Sequence, residues 1–196
     1  MGKHALAPML LVGLLTTILT ACGGSSGNNN SGSGSGSGFG SGSGSGSDQQ
    51  TLSGTIRFED VPQTSRLNAA LDYDAAEPRP ARRVTVQLLD SSGNVAMSSV
   101  TDENGAYSFN VGANQMLRLA VLAESKNSQW DIKITDNANN HRQYALQGSL
   151  TSTGATNSTR DLLAQSGWTG NSYGNTRVAG PFAMLDVMQD IANTLD

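Results

Sequence analysis

The chain has 196 residues, with 12 Lys and Arg against 16 Asp and Glu, a net charge of −4 and one cysteine. This mild acidity lacks the basic patch or stripe by which proteins bind nucleic acid, and a lone cysteine excludes an intramolecular disulfide framework. The N-terminus comes first in chain order. Lys3 is followed by an apolar run from Ala5 to Leu19 and then by the small residues Thr20 and Ala21. A short charged start, an apolar stretch and small residues before a cut predict a cleaved secretory signal over 1–21, with cleavage between Ala21 and Cys22. Beyond it no stretch approaches the roughly 18 apolar residues of a spanning helix.

Leu19-Thr20-Ala21-Cys22 holds the only cysteine. The tetrapeptide resembles the lipobox of bacterial lipoproteins, in which the cysteine becomes the new N-terminus and carries a diacylglycerol and an amide-linked acyl chain. The resemblance implies lipidation at Cys22, a membrane partner reached through that lipid, and an outer-membrane address, since Gly23 follows where an inner-membrane retention aspartate would stand. Two or more acyl chains anchor stably, whereas one does not. Loss of the signal removes Lys3 and no acid, leaving 175 residues with 11 basic and 16 acidic side chains.

From Gly23 to Ser47 every residue is Gly, Ser or Asn except Phe39. Such a segment has too little apolar surface to offset its ordering entropy, and a disordered tether over 22–50 is expected. A Gly/Ser coil of this length has an r.m.s. span of roughly 25–30 Å and reaches roughly 80 Å when stretched.

After Gln50 short alternating segments begin. Leu52, Gly54, Ile56 and Phe58 share one face, as do Val84, Val86 and Leu88, then Val95 and Met97, then Tyr107, Phe109 and Val111. Leu117, Leu119 and Val121 follow, then Trp130, Ile132 and Ile134, and last Tyr144, Leu146 and Leu150. Period-two alternation, with turn chemistry at Ser92-Gly93-Asn94 and Asp102-Glu103-Asn104-Gly105, predicts seven strands in an all-β antiparallel sandwich over 51–152. A long insertion, Val61 to Ala81, separates the first two strands and reads as a functional loop or flap.

The runs Leu52-Ser-Gly-Thr-Ile, Arg83-Val-Thr-Val-Gln-Leu-Leu-Asp-Ser-Ser-Gly-Asn and Thr101-Asp-Glu-Asn-Gly-Ala-Tyr-Ser-Phe-Asn-Val resemble the carboxypeptidase regulatory-like domain over about 51–123. That resemblance implies a transthyretin-like, Ig-like β-sandwich and says little about ligand, because such modules serve as accessory, adhesive or carbohydrate-binding-like units. Asp102 and Gly105 are expected to build a turn, with Tyr107 and Phe109 pointing into the core.

The remainder, 153–196, reads as a connector and a C-terminal helix. Trp168 and Tyr173 stand in a glycine-rich polar run and are candidates for a ligand platform, with Trp130 as a further member. The plainer alternative has Trp130 in the core and Trp168 docking the tail onto the sandwich. Met184, Val187, Met188, Ile191 and Leu195 recur at helical spacing, flanked by Phe182, Leu185 and Ala192, with Asp186, Gln189, Asp190 and Asn193 opposite. Two apolar faces predict a helix packed partly on the sandwich and partly on a protein partner. The connector also resembles that of larger metallopeptidase-like lipoproteins, through Trp168-x-x-x-x-Tyr173 and Arg177-x-Ala-x-Pro-Phe-Ala-x-Leu-Asp, which implies that a catalytic part would lie beyond this sequence.

Chemistry is hard to find in the chain. His141 is the only histidine after the signal and lies in a polar turn, so a two-histidine zinc motif is impossible. No Gly-x-Ser-x-Gly elbow or phosphate loop appears. Asp131, Asp136, Asn137 and Asn139, or Asp102 and Asn104, offer oxygens to calcium but lack its loop spacing. Lys126 and Lys133, with Arg57 on the first strand, do not suit a lysine–asparagine isopeptide. No catalytic residue, metal or cofactor is expected. The favoured reading is a non-enzymatic envelope lipoprotein presenting a sandwich on a tether. The alternatives are the non-catalytic N-terminal piece of a tethered hydrolase and a carbohydrate or peptidoglycan binder.

Lipidation has one acceptor thiol, so Cys22→Ala should abolish acyl labelling and leave unprocessed precursor. Acyl incorporation and a gel shift measure this, and a cleaved mutant still bound to membranes would contradict the anchor.

Overall fold

The computed structural model describes residues 49–64, 70–138 and 140–195. The expected signal, Cys22 and the run from Gly23 to Ser47 lie outside the described residues, as does Asn139. The described residues are mostly β-sheet with one C-terminal helix. In chain order the strands are β1 (Gln49–Asp60), β2 (Glu77–Pro80), β3 (Thr85–Leu89), β4 (Val95–Val100), β5 (Ala106–Gly112), β6 (Met116–Leu122), β7 (Glu124–Lys126), β8 (Asp131–Lys133), β9 (Ala145–Gln147), β10 (Thr151–Ser152), β11 (Ser158–Thr159) and β12 (Leu162–Ala164), followed by α1 (Ala179–Thr194). Each of the seven expected alternating segments overlaps one of these strands. The other five, β2, β7, β10, β11 and β12, run two to four residues, too short for a period of two to be recognised.

Two five-stranded sheets carry the core. In the first, β1 pairs with β5 and then β2 along one edge and with β11 and β12 along the other; in the second, β3 lies between β4 and β6, whose far edge takes β9 and β10. Leu52, Ile56, Phe58, Tyr107, Phe109 and Val111 of the first sheet meet Val86, Leu88, Leu117, Leu119 and Val121 of the second in one buried cluster. This face-to-face burial is that of a β-sandwich.

Three details depart from the expectation. β1 begins at Gln49, ahead of the expected boundary at 51, because the buried Gln50 amide donates to the carbonyls of Thr153 and Gly154 at 3.1 and 2.9 Å. The sheet also extends past 152, since β11 and β12 add to β1 in parallel, so pairing is not wholly antiparallel. Val95 and Met97 stay exposed because β4 is an edge strand of its sheet.

Gly54 sits where β11 gives way to β12. A side chain there would place its Cβ 2.1 Å from the Arg160 carbonyl oxygen, so only glycine admits this approach. The same oxygen accepts the Tyr107 hydroxyl at 2.7 Å. Burial pushes the Tyr107 phenol up to about 12, so it stays a donor throughout the physiological range. Asp161 completes the junction by accepting from the Thr55 amide at 2.7 Å.

The Asp102 turn forms as expected. Its carboxylate accepts from the Asn104 and Ala106 amides, both at 2.8 Å, and Gly105 takes φ +74° against the Ile56 carbonyl. Asp90 repeats this in the preceding hairpin, accepting from Ser92 and Asn94, and the Asn94 amide holds its carboxyl below the usual range.

α1 is turned differently from its pattern. Phe182 and Leu185 enter the core, but so do Asp186 and Gln189. Arg82 Nε donates to Asp186 at 2.7 Å and its Nη2 to Asp190 at 2.8 Å, while Gln189 Nε2 donates to the Arg82 carbonyl at 2.9 Å. The Met184, Val187, Met188, Ile191 and Leu195 stripe faces outward.

Phe109→Ala should cost roughly 3–5 kcal/mol in denaturant unfolding, as for other buried aromatics. Gly54→Ala should also destabilise, whereas halving the Ser-Gly run should leave Tm unchanged.

Candidate functional site

The described residues of the insertion, 61–64 and 70–81, fold back on themselves and include β2. Gln63 and Leu71 form a β-bridge, Asp72 N donates to the Pro62 carbonyl at 2.8 Å, and a single 3-10 turn over Tyr73–Ala75 leads into β2. This fold-back brings Tyr73 against the glycine-rich run after β12. In that run Gly167 and Gly170 have φ +80° and +98°, and Thr169 N donates to the Ser172 carbonyl at 2.9 Å. The tight turn that results pairs Trp168 with Tyr173 as an isolated bridge. Positive φ at Gly170, between the two aromatics, is what lets the chain reverse here.

Three rings therefore meet. Tyr73 stacks on Trp168 with centroids 4.7 Å apart and planes 27° apart, while Tyr173 stands edge-on to both, at 5.6 Å from Tyr73 and 5.3 Å from Trp168. The Tyr73 and Tyr173 hydroxyls are hydrogen-bonded to each other, which holds the Tyr73 phenol above its ordinary value. The Arg177 guanidinium lies 3.7 Å over the Tyr173 ring, a favourable cation–π placement.

The cluster stands beside an open groove of about 780 Å³ at the C-terminal end of β1. Tyr73, Tyr144, Arg177, Leu71 and Met184 are among its walls, and Glu59 and Asp60 lie along it. A smaller depression of about 390 Å³ shares Leu71 and Tyr73 and adds Trp168, Asp72 and Asp74. Tyr144, 43% exposed, lines the groove. The two acids of β1 have structural partners: Glu59 accepts from the Ser166 amide at 2.7 Å, and Asp60 pairs with Arg79 at 3.1 Å.

The structure brings Trp168 and Tyr173 together, as platform candidates require, but on Tyr73 of the insertion. Trp130 is apart from them and is not a core residue. It is half-buried beside the β7–β8 hairpin, donating Nε1–H to Ser125 Oγ at 3.2 Å with Arg83 5.9 Å from its ring. Of the oxygen candidates, Asp131 pairs with Lys126 at 2.8 Å, which holds its carboxyl below the usual range. Asp136 accepts from the Ala138 amide at 3.0 Å and, with Asn137, lines the groove. Among the described residues no three His, Cys, Asp or Glu side chains gather as a metal site. Asp102 is engaged in its turn, and His141 is an exposed loop residue at φ +56°. Lys133 pairs with Glu124 at 3.2 Å.

Sequence reasoning missed Tyr73, Tyr144 and Arg177. Tyr73 lies 95 positions before Trp168, so no local period connects them; its one signal was an aromatic between two acids in an oversized loop.

No known protein family matches this chain, and no curated protein matches it. Among solved structures it is similar to a proposed carbohydrate-binding protein of Pseudomonas aeruginosa, at 10% identity over 59% of this chain and 88% of that one, with a TM-score of 0.33. It is also similar to the shaft pilin SpaA of Lactobacillus rhamnosus GG, at 10% identity over 60% of this chain and 49% of that one, with a TM-score of 0.24.

A stacked aromatic pair contributes about 0.5–1.5 kcal/mol beyond its area. Trp168→Ala should thus speed amide exchange across Thr169–Val178 by about fivefold or more and leave β1 and β5 unchanged, as read by hydrogen exchange.

Proposed function

We propose that this chain is a non-enzymatic envelope lipoprotein, anchored in the outer membrane through Cys22, whose folded unit binds saccharide chains in the groove at the end of β1. The sandwich is of the transthyretin-like type in this reading, and the Gly/Ser run is the leash that lets the groove search near the membrane. The observation that carries the proposal is an open groove walled by Tyr73 and Tyr144, with Arg177, Asp136 and Asn137 also on its lining. Sugars present apolar C–H faces and rings of hydroxyls, and a concave site with aromatic faces and a few polar groups answers both. The β1 carboxylates are tied to Ser166 and Arg79, which favours binding over general acid–base chemistry.

The test is retention of the full lipoprotein, in detergent, on purified peptidoglycan sacculi and on other insoluble glycans. Tyr144→Ala removes an exposed ring, so folding should be preserved while affinity falls about tenfold, equivalent to about 1.4 kcal/mol. Failure to bind any glycan, or unchanged binding by the variant, would overturn the proposal.

A further inference from the structure

The outward stripe of α1 borders the groove at Gly180, Ala183 and Met184 and runs away from it through Val187, Met188, Ile191 and Leu195. Met184, Val187, Met188, Ile191 and Leu195 are 55, 59, 43, 56 and 82% exposed. Four of these side chains lie on α1 and Leu195 stands at its C-cap, and together they form an apolar seam about 17 Å long. The orientation that exposes them is enforced from below, since Asp186, Asp190 and Gln189 are all engaged by Arg82.

The arrangement of the stripe says what fits it. Taken about a point between Val187 and Met188, its positions are symmetric: Val187 answers Met188, Met184 answers Ile191, Ala183 answers Ala192, and Gly180 answers Leu195. An antiparallel second copy would set these pairs opposite one another. Its Leu195, the most exposed apolar side chain, would lie over Gly180, where nothing stands within 4 Å of an added Cβ. Small meets large at the ends, small meets small at Ala183 and Ala192, and the long side chains interleave in the middle, as in knobs-into-holes packing. Antiparallel helices also oppose their dipoles favourably.

Charge argues in the same direction. α1 carries Asp186 and Asp190 and no Lys or Arg, whereas helices that lie on membranes flank their apolar face with cations. Both acids are held toward Arg82, so the seam brings no like charges together. We propose that α1 is a homodimerisation seam, pairing antiparallel with α1 of a second copy about Val187 and Met188. One helix face offers far fewer than the roughly 20–30 residues a side of a standard stable interface, so pairing is concentration-dependent, and confinement of both copies to one surface favours it.

Single cysteines in the full chain test this by disulfide cross-linking under mild oxidation, with the parent chain, whose one cysteine is Cys22, as baseline. Met188→Cys should cross-link to its own copy. Leu195→Cys alone should stay at baseline, since its two copies would be about 22 Å apart along the seam, while Gly180→Cys mixed with Leu195→Cys should link. Adding Val187→Asp to Met188→Cys should return the yield to baseline with an unchanged circular dichroism spectrum. A Leu195→Cys homodimer would mean parallel pairing, and absent Met188→Cys cross-linking would mean a bilayer or a different protein covers the stripe; either result overturns the proposal.

Discussion

The first sheet depends on one close approach, that of the Arg160 backbone to Gly54. β1 carries strands on both edges, and on one of them the chain must pass from β11 to β12 without losing register. A Cβ at position 54 would occupy the space of the Arg160 carbonyl. With glycine there, the Arg160 oxygen is free to accept the Tyr107 hydroxyl, and the Arg160 guanidinium reaches across to the carbonyls of Leu117, Thr151 and Ser152. One residue thus links β1, β5, β6 and β10, and so both sheets. Everything C-terminal to β12, including the glycine-rich turn and α1, is aimed from this junction.

α1 illustrates how a buried polar contact can override an apolar pattern. Arg82 and Arg83 form a corner between β2 and β3, with Arg83 at φ +52°. Their charges and the Arg82 carbonyl need partners near the sandwich, because unpaired polar groups lose solvation there without compensation. Asp186 and Gln189 supply them, and Asn193 accepts from Arg83 at 3.1 Å. Phe182 and Leu185 then fall beside these polar residues and satisfy the core. The remaining apolar stripe is left outside, exposed to solvent.

The groove has a comparable origin. Apart from Glu59 and Asp60 at the end of β1, its walls lie outside the strands of the sandwich. The insertion, the segment after β8 and the tail each contribute a few side chains, and each is pinned by backbone hydrogen bonds: Asp72 to Pro62, Asp136 to Arg142, Val178 to Gln165. A rigid scaffold presenting irregular segments is the usual way a β-sandwich acquires a site.

The sequence by itself determined the strands long enough to show alternation, the turns at Ser92-Gly93-Asn94 and Asp102–Gly105 and the aromatic core of β5, because these depend on neighbours within a few residues. Period-two burial at Tyr107, Phe109 and Val111 is visible in any window that contains them, and an Asp two residues before a backbone amide closes a turn wherever it stands. It also placed Trp168 and Tyr173 within one glycine-rich polar run. Only the tertiary structure decided that Tyr73 completes their cluster, that β11 and β12 join β1 in parallel, and that α1 turns its acids inward. Each of these joins residues about 95 to 110 positions apart through a stack, a ladder or an ion pair. Such contacts leave no periodic trace, since they are selected by where the folded sheets bring the chain together and not by the order of residues along it.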